Sequence, residues 1–177
     1  MRKLKNEELG RISIEEFKQT AKTPIIVVLD NVRSLNNIGS VFRTSDAFCI
    51  EGIYLCGITA TPPNKDIHKT ALGATESVHW EYFEDTLQAL EKLRTLGYKI
   101  ISIEQAEHSI SLEDFEIGSK EKYALIFGHE VKGVDQVVIN QSNYCIEIPQ
   151  FGTKHSFNIS VSAGIVLWEF FRKLRGT

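Results

Sequence analysis

Pro24-Ile25-Ile26-Val27-Val28-Leu29 is an unbroken apolar, β-branched run, and its reading decides the fold. A strand with one face in water alternates apolar and polar side chains, so a run without alternation implies a strand covered on both faces. Similar runs recur at 52–57, 98–103, 123–127 and 144–148, with helical patterns between and after them at 38–49, 85–96, 134–141 and 158–174. Alternating strands and helices imply an α/β fold, a mostly parallel sheet flanked by helices. Residues 1–23 are polar and mostly charged. Ser13 followed by Glu16 makes a capping box there, which predicts a short helix over 14–21. The expected organisation is a short N-terminal helical extension, 1–23, and one domain, 24–177.

The 177 residues are 42% hydrophobic and 24% charged, enough for one domain with a core of its own. No stretch has the roughly 20 apolar residues of a membrane-spanning helix, and the charged start carries no apolar secretion signal, so a cytoplasmic protein with no membrane partner is expected. Cys49, Cys56 and Cys145 are scattered among apolar neighbours and are expected as reduced thiols. With 20 basic against 23 acidic residues, any grip on nucleic acid must be local. The terminal groups Arg2-Lys3-Lys5-Arg11 and Arg172-Lys173-Arg175, with Arg33, Lys65, Lys69 and Lys132, are the candidates. Solvated chain ends are the plain alternative.

Familiar cofactor motifs are missing. Leu29 is followed by Asp30-Asn31-Val32-Arg33 and not by the glycine fingerprint of a dinucleotide fold. Gly128 and Gly133 have phosphate-loop spacing, yet Val134-Asp135 stands where Lys-Ser/Thr would bind phosphate and magnesium. His68, His79, His108, His129 and His155 form no close pair, so no metal site is expected.

Three segments carry chemistry-bearing residues. In Asn37-Ile38-Gly39-Ser40-Val41-Phe42-Arg43, helical spacing puts Ile38, Val41, Phe42 and Ser45 on one apolar stripe and turns Arg43 away from it. Asn37 stands where a helix N-cap is expected, and a capping Asn with a solvated Arg is the structural alternative to a site. Phe127-Gly128-His129-Glu130-Val131-Lys132-Gly133 is a strand running into a glycine-flanked turn, where backbone can approach a ligand. Ile148-Pro149-Gln150-Phe151-Gly152-Thr153-Lys154-His155-Ser156-Phe157-Asn158-Ile159-Ser160 leads into a helix with almost no polar face. That helix is expected to be fully buried or shared with a second subunit, with a packing reason for Gly164.

Taken together, Asn37-x-Gly39-x-x-x-Arg43, Phe127-Gly128-x-Glu130-x-x-Gly133 and Ile148-Pro149-x-x-Gly152-x-x-x-Ser156-x-Asn158-x-Ser160 resemble the three signature motifs of the SpoU (TrmH-type) class of the SPOUT RNA methyltransferases. The resemblance spans 24 to about 175. It implies a C-terminal trefoil knot, a homodimer, and methyl transfer from S-adenosylmethionine to a ribose 2′-hydroxyl of tRNA or rRNA. By the same resemblance Asn37, Arg43, Glu130, Ser156 and Asn158 are the catalytic and site-shaping residues. The cofactor is expected beside Ile103, Glu104, Gly128, His129, Ile148, Gln150, Ser156 and Phe157. His129 departs from the usual Asn, and Gln150 and Phe157 from the common Met and Leu.

A guanidinium stays protonated to a pH above 12, so Arg43 suits a phosphate clamp that orients the 2′-hydroxyl better than a base. Asn37 and Asn158 then position the ribose or Arg43, and Glu130 holds Arg43 or Asn37. Two other readings stay open at this stage. One is a non-catalytic RNA-binding dimer with the same fold. The other is a hydrolase built on Ser156, His155 and Glu130, which lacks the usual nucleophile elbow.

Overall fold

The computed structural model describes residues 1–175. Seven strands form one parallel sheet in the order β3-β2-β1-β6-β4-β7-β5. They are β1 (Thr23–Asp30), β2 (Ile50–Cys56), β3 (Trp80–Phe83), β4 (Tyr98–Ile103), β5 (Ile110–Ser111), β6 (Lys122–Phe127) and β7 (Tyr144–Glu147). The helices are α1 (Ile14–Gln19), α2 (Leu35–Ala47), α3 (Lys65–Ala71), α4 (Ala74–Ser77), α5 (Thr86–Thr95), α6 (Gln136–Asn140) and α7 (Ile159–Arg175).

The β1 run behaves as its pattern requires. Ile25, Val27 and Leu29 join a core cluster with residues of α1, α2, α3, α4 and α7. Ile26 and Val28 point the other way, into a second cluster with α5 and α6. Each side chain of this kind contributes about 1.5–3 kcal/mol through burial, so both faces of the strand are held. Strand β1 lies between β2 and β6 and is paired with both to its C-terminal end. In open parallel sheets ligands bind beyond the carboxyl ends of the strands.

The capping box of α1 forms as expected, with Ser13 accepting from the Glu16 N–H and Glu16 accepting from the Ser13 N–H. The helix is shorter than predicted, and its Phe17 is buried in the core, so α1 is docked on the domain. Short α3 and α4 and the edge strands β3 and β5 are additional to the elements read from sequence. Gly39 explains how α3 packs on α2: a Cβ there would overlap Thr70 Oγ1 and the Ile67 carbonyl oxygen. Cys49, Cys56 and Cys145 are free thiols; Cys56 is buried and the other two half-buried.

Candidate active site

The loop from β1 into α2 sets the first wall of the site. The sequence reading puts the N-cap at Asn37, but Ser34 holds that place, its Oγ accepting the Asn37 N–H at 3.3 Å. Helix α2 therefore starts at Leu35, and the Asn37 side chain is released from capping. It is buried and donates from Nδ2 to Glu130 Oε1 at 3.2 Å. Asn158 Nδ2 donates to Asn37 Oδ1, also at 3.2 Å. Glu130 accepts from the backbone N–H groups of Arg33 (3.0 Å) and Ser34 (2.8 Å). Burial alone would raise the Glu130 pKa. These backbone donors, with the N–H of Glu130 itself and Asn37, outweigh burial and hold the carboxyl below its ordinary range.

The turn after β6 forms the second wall. His129 and Gly133 exchange backbone hydrogen bonds at 3.0 and 2.8 Å. A Cβ on Gly128 would overlap the backbone of Gly133 and Val134, so the turn closes only over glycine. Gly133 takes φ +70 and lies against the Glu104 carboxylate, where a Cβ would overlap Oε2. The departure at His129 is chemically small. Its Nδ1 accepts from the Val131 N–H at 3.0 Å, and an Asn side chain also carries its acceptor at the δ position. Glu104 Oε2 accepts from the Val134 N–H at 3.0 Å, and its Oε1 from the Gln105 N–H at 2.9 Å.

Asp30, which sequence reasoning passed over, fixes the far end of this turn. Its buried carboxylate accepts from Thr86 Oγ1 at 2.6 Å, Asn31 Nδ2 at 2.9 Å and the Asp135 N–H at 3.1 Å. A carboxylate closing an otherwise apolar strand was the available signal.

Segment 148–158 completes the enclosure. The second wall and this segment, with the exit of β4, bound a cavity of about 520 Å³ at the carboxyl ends of β4, β6 and β7; the β1–α2 loop supplies no lining residue and is joined to it through Asn37. All eight residues expected around the cofactor line it: Ile103, Glu104, Gly128, His129, Ile148, Gln150, Ser156 and Phe157. Glu130 and Asn158 line it as well, and Asn37 is joined to both by hydrogen bonds. The lining also includes Gln105, Glu147 and Lys132. Apolar walls, three carboxylates, one lysine and several hydroxyl and amide groups suit a ligand that is part aromatic, part polar and part cationic.

Arg43 lies elsewhere. It is exposed on α2, makes no ion pair among the described residues, and is not part of the cavity lining of its own chain. Six positions separate it from Asn37, about 9 Å along the helix axis and about 120° around it. Glu130 therefore holds Asn37, and among the described residues no hydrogen bond or ion pair joins it to Arg43. Several of the basic groups singled out from sequence have acidic partners: Arg2 with Glu8 at 2.5 Å, Lys69 with Asp66 at 2.6 Å, and Arg172 and Lys173 with Glu169 at 2.6 and 2.9 Å.

Helix α7 is neither fully buried nor polar on its outer side. Val161 and Trp168 are 49% and 52% exposed, and Trp168 and Phe171 form an aromatic group with Phe48. The packing reason expected for Gly164 is not found within the chain, since a Cβ there would meet nothing within 4 Å.

Residues 24–168, nearly the whole sheet and over half of α7, match the model of the SpoU rRNA Methylase family. The chain belongs to this family. Among SpoU relatives, the 23S rRNA (guanosine-2′-O-)-methyltransferase RlmB of Neisseria meningitidis is 28% identical over 86% of this chain and 60% of that protein. An uncharacterized tRNA/rRNA methyltransferase of Borreliella burgdorferi is 29% identical over 91% of this chain and 69% of its own length. The chain spans between 42% and 63% of the length of relatives from Staphylococcus saprophyticus, Synechocystis and Neisseria meningitidis. The SpoU fold is matched by the AdoMet-bound rRNA methyltransferase of Sinorhizobium meliloti, with a TM-score of 0.81 at 24% identity over 89% of this chain and 60% of that one. The TrmH/SpoU tRNA modifying enzyme of A. aeolicus gives 0.80 at 23% identity, covering 92% of this chain and 83% of its own.

Proposed function

We propose that this SpoU family chain transfers a methyl group from S-adenosylmethionine to a ribose 2′-hydroxyl of tRNA or rRNA. In this reading it works as a cytoplasmic homodimer, with residues 1–23 as an extension of a catalytic domain whose last third is knotted. The observation that carries the reading is one cavity lined by the second and third sequence segments, to which the first is tied by the hydrogen bonds Asn158–Asn37–Glu130.

The cavity fits the cofactor in size and donor set. Its volume lies in the range of small-molecule sites. Ile103, Ile148 and Phe157 offer apolar surface to an adenine ring, and the carboxylates of Glu104 and Glu147 favour a nearby cation. When bound, S-adenosylmethionine supplies an electrophilic methyl group on a sulfonium. Asn158 and Asn37 hold their amides in fixed orientation beside the cavity, where they position the acceptor ribose. Glu130 stays ionised and fixes Asn37, acting through it and not on the sugar. Ser156, exposed at the mouth, is placed to hydrogen-bond substrate.

Arg43 clamps the phosphate beside the reacting ribose and stabilises the oxyanion as the 2′-hydroxyl proton passes to that phosphate. Because Arg43 lies outside the cavity of its own chain, the reading requires it to come from the second copy. The exposed apolar face of α7 around Gly164 and Trp168 supports such a dimer, for a neighbouring helix can approach closely over a glycine.

The test is incubation of the purified protein with methyl-labelled S-adenosylmethionine and total RNA from a strain lacking the gene, followed by digestion to nucleosides. A labelled 2′-O-methylnucleoside is the expected product. Label found only on bases would overturn the ribose assignment, and RNA binding with no transfer would select the non-catalytic dimer.

A further inference from the structure

The third segment forms a wall of the cavity with almost nothing holding it. Residues 151–158 are all exposed, and Phe151 is 97% exposed. The segment has no regular secondary structure between β7 and α7. Among the described residues, one hydrogen bond reaches 149–157 from elsewhere in the chain: Gln105 Nε2 donates to the His155 carbonyl at 2.7 Å. The next anchor is Asn158, through Asn37.

Gln105 is well placed to act as a strut. Its own backbone N–H is fixed by Glu104 Oε1, whose other oxygen takes the Val134 N–H of the second wall. The backbone N–H of Glu104 bonds the Ile146 carbonyl on β7 at 3.0 Å. The two residues at the exit of β4 therefore reach both ligand-bearing loops, Glu104 the 128–134 turn and Gln105 the 149–157 segment. Glu104 has each of its oxygens engaged by a backbone donor, so its role is partly to build the cavity as well as to face it.

We propose that Gln105 is a positioning residue that pins segment 149–157 as a wall of the cofactor cavity. The proposal rests on the methyltransferase reading for its ligand, and on the hydrogen bond to His155 for its mechanism. A free segment must be ordered when the cofactor binds, and that ordering subtracts from affinity. The Gln105 amide lowers this cost beforehand. Its effect falls on binding and leaves the methyl-transfer step itself almost untouched.

Two variants test this. Gln105→Met keeps the length of the side chain and removes the donor, and Gln105→Glu replaces the donor with an acceptor that repels the carbonyl. Titration calorimetry should show S-adenosylmethionine Kd raised about five- to tenfold in both, the effect of one exposed hydrogen bond. KM for the cofactor should rise by the same factor while kcat stays within about twofold. In the cofactor-free protein, trypsin should cut after Lys154 several times faster than in wild type, with Tm unchanged. Wild-type affinity, or a wild-type cleavage rate, in both variants would overturn the proposal. Failure of the wild-type protein to bind S-adenosylmethionine would instead overturn the functional reading, and the cleavage rates would still decide whether Gln105 holds the segment.

Discussion

Asn158 Nδ2 lies 3.2 Å from Asn37 Oδ1, a hydrogen bond between residues 121 positions apart. It joins the third sequence segment to the first, and Asn37 passes the connection to Glu130 in the second. Each side chain in this relay has its orientation set by the next. Replacing Asn37 by Asp puts an acceptor where Nδ2 donates and a second charge beside Glu130. We expect Asn37→Asp to lower methyl transfer at least 100-fold and to lower Tm by a few degrees, as measured by labelled transfer and thermal melting.

Glu130 gives a pH signature. Its folded-state pKa is lowered from 4.5, so the unfolded chain takes up this proton first as pH falls. The stability it lends is complete above the unfolded value and is lost as pH falls through the lowered folded value. Wild-type Tm should therefore decline below about pH 4.5 more steeply than that of Glu130→Gln. At neutral pH the variant should already be less stable, because its amide cannot accept from Arg33, Ser34 and Asn37 together. Parallel slopes for the two proteins would contradict this.

His129→Asn should retain cofactor affinity within about twofold, because an Asn Oδ1 can take the Val131 N–H that His129 Nδ1 now accepts. His129→Ala removes that acceptor and should weaken cofactor binding several-fold. Calorimetry on the two variants checks both.

Gly164→Ala separates the stability of the chain from that of the proposed dimer. Apart from its chain neighbours and the surrounding helix backbone, none of the described residues comes within 4 Å of the added methyl, and Ala is favoured over Gly in a helix by about 1 kcal/mol. We expect the isolated fold to gain stability while the dimer dissociation constant, measured by analytical ultracentrifugation, rises at least tenfold. Unchanged association would place the dimer contact on another face.

The parts of this molecule that could be read from sequence are those fixed by local pattern. The run from Ile25 to Leu29 is apolar throughout because side chains on both of its faces are buried, and its brevity and β-branched residues separate it from a buried helix. Strand β3 has no such mark: Trp80, Glu81, Tyr82 and Phe83 lie at the sheet edge and are only partly covered. Helix α3 is seven residues long, and its cap, Asn64, follows two prolines that read as a loop. The capping error at α2 has a similar origin. Ser34 and Asn37 are both good N-caps, and the choice depends on Glu130, 93 positions from Asn37, drawing the Asn37 side chain away. Gln105 carried no signal, since its partner is a carbonyl 50 positions distant. The motif residues that line the cavity are marked in the sequence, whereas Gln105, which braces one of its walls, is not.

The central claim is a ribose methylation site made by one copy's cavity and the other copy's Arg43. Arg43→Ala and Asn158→Ala should each be inactive alone, with cofactor affinity in Arg43→Ala unchanged. Random reassociation of the two in equal amounts makes half the dimers mixed, each with one intact site, and should restore about a quarter of wild-type 2′-O-methylnucleoside formation. If the mixture stays as inactive as its components, Arg43 does not serve the site of the second copy and the account is wrong.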